Sequence, residues 1–436
     1  MDQDKRTEKS LTYSLYNGVF SHAMLGFFQE YLTPFILLLG GTVKQVGFLN
    51  AIPSFLGAFT QLKSADLIAW LKSRKTVVNI SVFLEGLIML AIALAALFRR
   101  LEPSLFIALI AIYAVCSAVV TPAMGSWISD LVETRIRGTF FGKRSRIYGF
   151  VTMGSTFTAG FFLTQMKKID AFYGFAILFG LAFIFRMLGW IFIRKIHEPP
   201  LRYEGTQFTL LEFLGHMKKS NFTRFVLFVS LFSFSVNIAS PFFAVLMLKD
   251  LHLSYFLYSA MLVSSALTRY TSISRWGEHA DKIGNLKIIK FTTLFIGLIP
   301  LLWVINRNIV FLFIVQMFSG FLWSGYNLCT SNFIYDAVTP EKRPRCIAYF
   351  NVLNGLFLSA GALLGGLVVK FLPGLFGFQI LTLFLISAVL RFLVVFYMHA
   401  LVKEVRPVET ISNKDLFYSM INMRAILGID RKTIKY

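Results

Sequence analysis

Glu30 is an acid inside an otherwise apolar stretch. An ionisable side chain in such a stretch is expensive to bury and marks a functional site by default. Positions 22, 26, 29 and 33 (His22, Gly26, Gln29 and Thr33) fall on one helical face, with Glu30 beside it. A carboxylate in these surroundings can bind and release a proton as its access to water changes, or recognise a cation. His22 is a titratable neighbour for it, and Glu85 is a second acid near the middle of an apolar stretch. Three arginines, Arg186, Arg269 and Arg391, also lie within apolar stretches. Arg186 and Arg391 are placed where a long side chain can snorkel to headgroups. Arg269 is expected to join the charges of the segment that follows it. That segment reads Gly277-Glu-His-Ala-Asp281-Lys282-Ile-Gly284-Asn-Leu-Lys287. A carboxylate at a helix N-terminus is favoured by the dipole, and flanking basic residues hold it there.

Enzymatic chemistry finds no support. The six histidines (His22, His197, His216, His252, His279 and His399) lack metal-ligand spacing. There is no phosphate-cradling glycine loop and no Walker lysine motif. Neither a metal nor a cofactor is expected. Three cysteines (Cys116, Cys329 and Cys346) cannot form a disulfide framework.

The elements that must position these residues follow from composition. Of 436 residues, 56% are hydrophobic and 15% charged, against about 25% charged in a soluble domain. Soluble multidomain enzymes and disordered chains are thereby excluded. Runs of apolar residues long enough for a bilayer core predict twelve membrane helices, at 11–39, 43–62, 76–98, 104–127, 146–166, 170–193, 222–248, 251–274, 286–305, 308–335, 347–371 and 375–400. The polar residues 1–10 and the long apolar run after them do not read as a signal peptide.

The net charge of +21 would suit a nucleic-acid binder, but its distribution argues otherwise. With twelve spans, 32 Lys and Arg fall on the face that holds both termini and 8 on the other. By the positive-inside rule both termini are cytoplasmic, and the charge is an orientation signal. The connection at 196–221 carries a capping-box start, Thr209-x-x-Glu212, and reads as a linker with an interfacial helix. A similar start, Ser412-x-x-Asp415, lies in the cytoplasmic tail, 402–436.

The chain also repeats itself. Pro34-Phe35 matches Pro241-Phe242 at an offset of 207, and Asp130-Leu-Val matches Asp336-Ala-Val at 206. In the latter register Arg137 falls on Arg343, Gly149 on Gly355 and Gly160 on Gly366. A constant offset across separate landmarks divides the chain into two parallel six-helix halves, 1–195 and 222–401, an architecture of alternating-access transporters.

With the Gly277–Lys287 motif, the stretch Arg137-Gly138-x-x-x-Gly142 and the two-fold repeat, the whole chain resembles the major facilitator superfamily. The loop between the second and third helices holds only a degenerate form of the motif, with Asp66, Lys72, Arg74 and Lys75. The resemblance implies an all-α membrane fold and a conformational latch made by Gly277, Asp281, Lys282, Gly284 and Lys287, with Asp66 and Arg137 in the other half. It also implies that helices 1, 4, 7 and 10 line a central cavity. Candidate substrate or coupling residues are then Glu30, His22, Gln29, Asn237, Gln316, Trp323, Asn327 and Thr121, with Glu85 from helix 3. Asn237 occupies the repeat position of Glu30, and Asn327 that of Thr121.

The implied activity is secondary transport of a small organic solute, driven by an ion gradient or by the solute's own gradient. A polar solute and a lipophilic one both remain open, as do import and export. The alternative is a non-transporting membrane protein on the same fold, such as a sensor or a lipid- or pigment-handling assembly factor. Expected partners are the solute, a proton or other ion, and the lipid bilayer. The expected setting is the plasma membrane of a prokaryote, with the protein as a monomer.

Overall fold

The computed structural model describes residues 2–133, 136–200, 220–339, 343–399 and 401–405. The expected helices of the 196–221 linker and of the tail fall outside these residues. The described residues are helical almost throughout and form no strand. Twelve helical segments follow one another: α1 (Asp2–Phe28, a 3-10 turn Gln29–Tyr31, then Leu32–Leu38), α2 (Val43–Leu71), α3 (Arg74–Leu97), α4 (Pro103–Leu131), α5 (Arg137–Met166) and α6 (Ala171–Lys195). The second six are α7 (Asn221–Asn237, resumed by Phe242–Val245 and a π-helical turn Leu246–Asp250), α8 (Tyr255–Ile283), α9 (Asn285–Ile305), α10 (Ile309–Ala337), α11 (Arg343–Val368) and α12 (Gln379–His399).

Local chemistry sets where these helices start. Thr42 and Gln45 form a reciprocal capping box before α2, with Gln45 N donating to Thr42 Oγ1 at 3.2 Å. Ser73, Asp170, Ser254 and Asn308 cap α3, α6, α8 and α10 through their side-chain oxygens. Pro103 occupies the first turn of α4, where its missing N–H costs nothing. Several helices overrun the expected spans, α2 to Leu71 and α8 to Ile283, because a helix continues into water wherever its residues favour it.

Eight helices (α3, α4, α6, α7 and α9–α12) are long and apolar enough to cross a membrane. The other four, α1, α2, α5 and α8, are more polar. Each of them turns polar residues toward the centre of the bundle, among them Glu30, Asn50, Thr152 and Arg269.

The packing repeats. Helix α3 lies against α4 and α6 as α9 lies against α10 and α12. Helix α1 meets α5 and α6 as α7 meets α11 and α12. Hydrogen bonds place the start of α1, the end of α6, the start of α7 and the end of α12 at one end of the bundle, called here the terminal end. His197 N donates to Ser10 Oγ at 3.0 Å, Asn221 Nδ2 to Lys403 O at 2.7 Å, and Leu286 N to Glu404 Oε2 at 2.7 Å.

The halves meet along two seams, α2 with α11 and α5 with α8. At the far, distal end of the first seam backbone meets backbone, and a Cβ on Gly47 would stand 2.9 Å from Gly366 Cα. On the second seam Gly160 is filled by Ser259, and Phe256 N donates to Thr164 Oγ1 at 2.7 Å. The glycine approaches reach toward the terminal end only as far as Gly355 against Ala58 and Gly149 against Tyr270.

Candidate substrate cavity

Helices α1 and α7 are both broken near mid-length. Pro34 follows the 3-10 turn Gln29–Tyr31, and Pro241 ends the turn at 238–241. Proline lacks a donor and crowds the carbonyl one turn earlier, so neither helix runs straight. Backbone groups at the breaks find other partners. Tyr258 Oη donates to Glu30 O at 3.0 Å, and Arg391 donates to Val236 O at 3.3 Å. Irregular backbone at such depth is tolerated where it lines a cavity or is buried in protein.

Between the halves lies a cavity of about 1370 Å³. Gln29 and Glu30 of α1, Thr121 of α4, Asn237 of α7, and Gln316, Trp323 and Asn327 of α10 all line it. Gln29 and Thr121 expose their side chains into it, and Trp323 meets Tyr326 edge-on at 5.3 Å. Asn237 uses one amide hydrogen on Ser233 O, at 2.9 Å. The lining extends toward the terminal end to Gln61, Thr121 and Ser331.

Two expected residues sit elsewhere. His22 faces α5, stacked on Tyr148 at 4.5 Å with Nδ1 3.1 Å from Thr152 Oγ1. Glu85 is fully buried between α3 and α6, paired with Arg186.

The three intramembrane arginines depart from expectation. Arg186 does not snorkel: it is 6% exposed, holds Glu85, and donates to Ser21 Oγ at 3.0 Å. Arg391 does not snorkel either. It is 3% exposed and donates to Ser387 Oγ at 3.2 Å, Ile296 O at 3.0 Å and Val236 O. In both cases a buried partner one helix away holds the guanidinium more firmly than a climb to the headgroups would. Arg269 does not join the charges after α8; it is exposed at mid-helix and lines the cavity. Arg269 and Arg391 are therefore cavity residues that the sequence reading placed elsewhere. The signal for Arg269 was its i, i+4 spacing from the polar Ser265, which puts both on one face.

At the terminal end each half builds a comparable polar junction. Arg74, its side chain 3% exposed, reaches Asp130 Oδ2 at 2.6 Å and Ser126 Oγ at 2.9 Å, and Glu198 Oε1 accepts from Arg74 N at 2.6 Å. In the second half Asn285 donates to Asp336 Oδ2 at 2.8 Å while Glu404 takes the N–H of Leu286. Arg137 donates to Ser129 O at 2.9 Å, and Arg343 to Tyr335 O at 3.0 Å.

Of the expected latch residues, Gly277 lies within α8 and Asp281 is exposed on its last turn, beside Lys282. Gly284 makes the joint to α9 at φ 85°, and Lys287 is in the first turn of α9. Asp66 is exposed and meets Lys63 at 3.4 Å. Burial pushes the His279 imidazole below its ordinary range, with Arg275 O accepting from its ring at 2.7 Å.

A helical bundle of two like-packed halves around a polar cavity is the architecture of a membrane transporter. Residues 225–427 match the model of the Major Facilitator Superfamily. Solved structures share the fold over nearly the whole chain. A variant of the nucleoside transporter NupG is 15% identical, with a TM-score of 0.73 over 90% of this chain and 100% of that one. A D-xylose–proton symporter is 13% identical, TM-score 0.71, over 92% and 99%. A bacterial homologue of the iron transporter ferroportin, inward-facing, is 14% identical, TM-score 0.67, over 90% and 98%. A search of curated proteins finds no match. That match covers the second half of the chain, and with the shared fold it makes the chain similar to the major facilitator superfamily; its apolar helices mark an integral, multi-pass membrane protein. Family and fold point to a transporter rather than an enzyme.

Proposed function

We propose that this protein is a secondary active transporter that moves a small organic solute by alternating access, with Glu30 as its coupling carboxylate. All twelve helices span the membrane in this reading, both termini face the cytoplasm, and the membrane is the plasma membrane of a prokaryote.

The observation that carries the reading is the asymmetry of the cavity. Close approaches between the halves gather at the distal end, while the polar lining runs toward the terminal end. With both termini cytoplasmic this asymmetry supports an inward-open reading, and a rocking motion about the two glycine seams would exchange it for the outward-open state. Glu30 supports coupling by its place in the broken turn of α1, between the cavity and Tyr258 of the opposite half. A carboxylate there meets a different environment whenever the halves move. The Asp281 segment would then latch the halves in the outward-open state. The polar lining favours transport over a non-transporting scaffold.

The test is uptake into proteoliposomes with an imposed proton gradient, using a solute found by thermal stabilisation across a panel at two pH values. Gradient-driven accumulation that Glu30→Gln reduces to simple equilibration is the expected result. Undiminished accumulation by Glu30→Gln removes Glu30 from coupling, and no uptake of any stabilising solute removes the transport assignment.

A further inference from the structure

We propose that the central cavity selects small organic anions, with Arg269 as the residue that meets the anionic group. This names the substrate class of the transport reading and rests on it only for the claim that the bound solute is moved.

The charge of the cavity wall carries the argument. Among the described residues, the charged groups that line it are Glu30, Arg269 and Arg391, two cations against one acid. With Glu30 ionised the wall holds one net positive charge, and with Glu30 protonated it holds two. A cationic solute is therefore disfavoured in either state, and an anion is favoured in both. At mid-bilayer the effective dielectric is low and the attraction is large compared with that in bulk water.

The two arginines play different parts. Arg391 is buried, and every group it touches is a neutral oxygen: Ser387 Oγ, Ile296 O and Val236 O. These bonds give each of its three nitrogens an acceptor without cancelling its charge, so it sets a fixed positive potential behind α7. Arg269 is exposed in the cavity; its charge is felt by Glu30, but among the described residues its side chain makes no contact ion pair and no hydrogen bond. It is thus a planar fork of donors held in the open space, suited to a carboxylate or a phosphoester.

The first half shows what neutralisation looks like in this fold. There Arg186, on α6, is cancelled by Glu85 of α3. In the second half α12 keeps its arginine, but the group it finds on α9 is the backbone carbonyl of Ile296. The positive charge has been retained on the cavity side without its acid. Asn237, Gln316 and Asn327 supply amide groups for the rest of the solute.

Thermal shift of the purified full-length protein with charge-matched probes tests this, each probe at equal ionic strength against a chloride control. One set is gluconate, glucose 6-phosphate, glucose and glucosamine; the other is benzoate, benzyl alcohol and benzylamine. Stabilisation by anionic members only is expected, with apparent affinity at least tenfold weaker in Arg269→Gln. Arg269→Glu is expected to favour the amine probes instead. Gluconate against glucose 6-phosphate separates a carboxylate from a phosphoester site, and the two sets separate a polar from an apolar body. Equal stabilisation by the neutral or cationic members overturns the proposal, as does unchanged anion binding by Arg269→Gln or silence from every probe. The melting temperature of the ligand-free variants reports folding separately. An anion that binds through Arg269 but is not taken up by proteoliposomes leaves this inference standing and removes the transport assignment. Uptake of a neutral sugar without discrimination does the reverse.

Discussion

Glu85 of α3 and Arg186 of α6 form an ion pair buried inside the first half, away from the cavity. Neither group can reach water in this state, and Ser21 on α1 takes one more guanidinium hydrogen. The pair therefore ties three helices of one half into a unit that can move as a rigid body. Because each charge is buried, breaking the pair is far costlier than never having had it. Glu85→Ala is expected to lower stability by about 3–5 kcal/mol by leaving an uncompensated arginine. Glu85→Ala with Arg186→Leu should recover most of that loss. Unfolding of the purified protein in detergent, followed across the cycle, checks both outcomes; a double variant as unstable as the single one would show that the helix contacts, and not the charges, had been lost.

Much of this was legible in the sequence because the bilayer constrains it. Apolar run lengths marked the helical segments, and the offsets between Pro34 and Pro241 and between Asp130 and Asp336 set the expectation of two halves. The cavity residues Gln29, Glu30, Thr121, Asn237, Gln316, Trp323 and Asn327 could be listed because the family resemblance named the lining helices and helical periodicity then fixed their faces. What the sequence left hidden was partnership across helices. Periodicity cannot say that α3 presents Glu85 to Arg186 while α9 presents only a carbonyl to Arg391, since that depends on which helices touch. The same gap sent His22 toward Glu30, although its ring is stacked on Tyr148 of α5.

The joints between α2 and α3 and between α8 and α9 both turn at a residue of positive φ, but in different conformations. Lys72 has φ 53° and ψ 17°, the left-handed helical region, whereas Gly284 has φ 85° and ψ 156°, a region open essentially to glycine alone. Left-handed backbone costs an ordinary residue about 1–2 kcal/mol and glycine almost nothing. Gly284→Ala is expected to destabilise by about 1–3 kcal/mol. Lys72→Gly should stabilise slightly, by less than about 1 kcal/mol, because relief of strain is partly offset by the greater freedom of glycine in the unfolded chain. Paired melting curves distinguish these opposite signs.

His279 gives the terminal end a pH dependence with a definite sign. Its imidazole is 4% exposed and burial lowers its pKa, so the folded protein resists protonating it. The unfolded chain binds that proton near pH 6.5, and stability is therefore present above about 6.5 and lost as pH falls below it. His279→Gln is expected to flatten the fall in melting temperature between pH 7 and pH 5. A slope identical to that of the unsubstituted protein would assign the acid sensitivity to other groups.

The proposed alternating access makes its sharpest demand on the α2–α11 seam. Gly366 and Gly47 are in backbone contact at the distal end, where a Cβ on Gly366 would stand 3.0 Å from Gly47 Cα. Backbone cannot retreat as a flexible side chain can, so Gly366→Leu must force the distal ends apart. In a two-state transporter, destabilising one state by about 1.4 kcal/mol shifts the ratio of states tenfold. A cysteine at Asn327, on the cavity wall, reports the shift through its labelling by an impermeant thiol reagent applied from the terminal side. The native cysteines Cys116, Cys329 and Cys346 are all buried, and their replacement provides a clean background. Labelling of Asn327→Cys should slow about tenfold or more when Gly366→Leu is added. An unchanged rate would mean that the distal seam does not hold the cavity open at the terminal end, and the rocking model would lose its hinge.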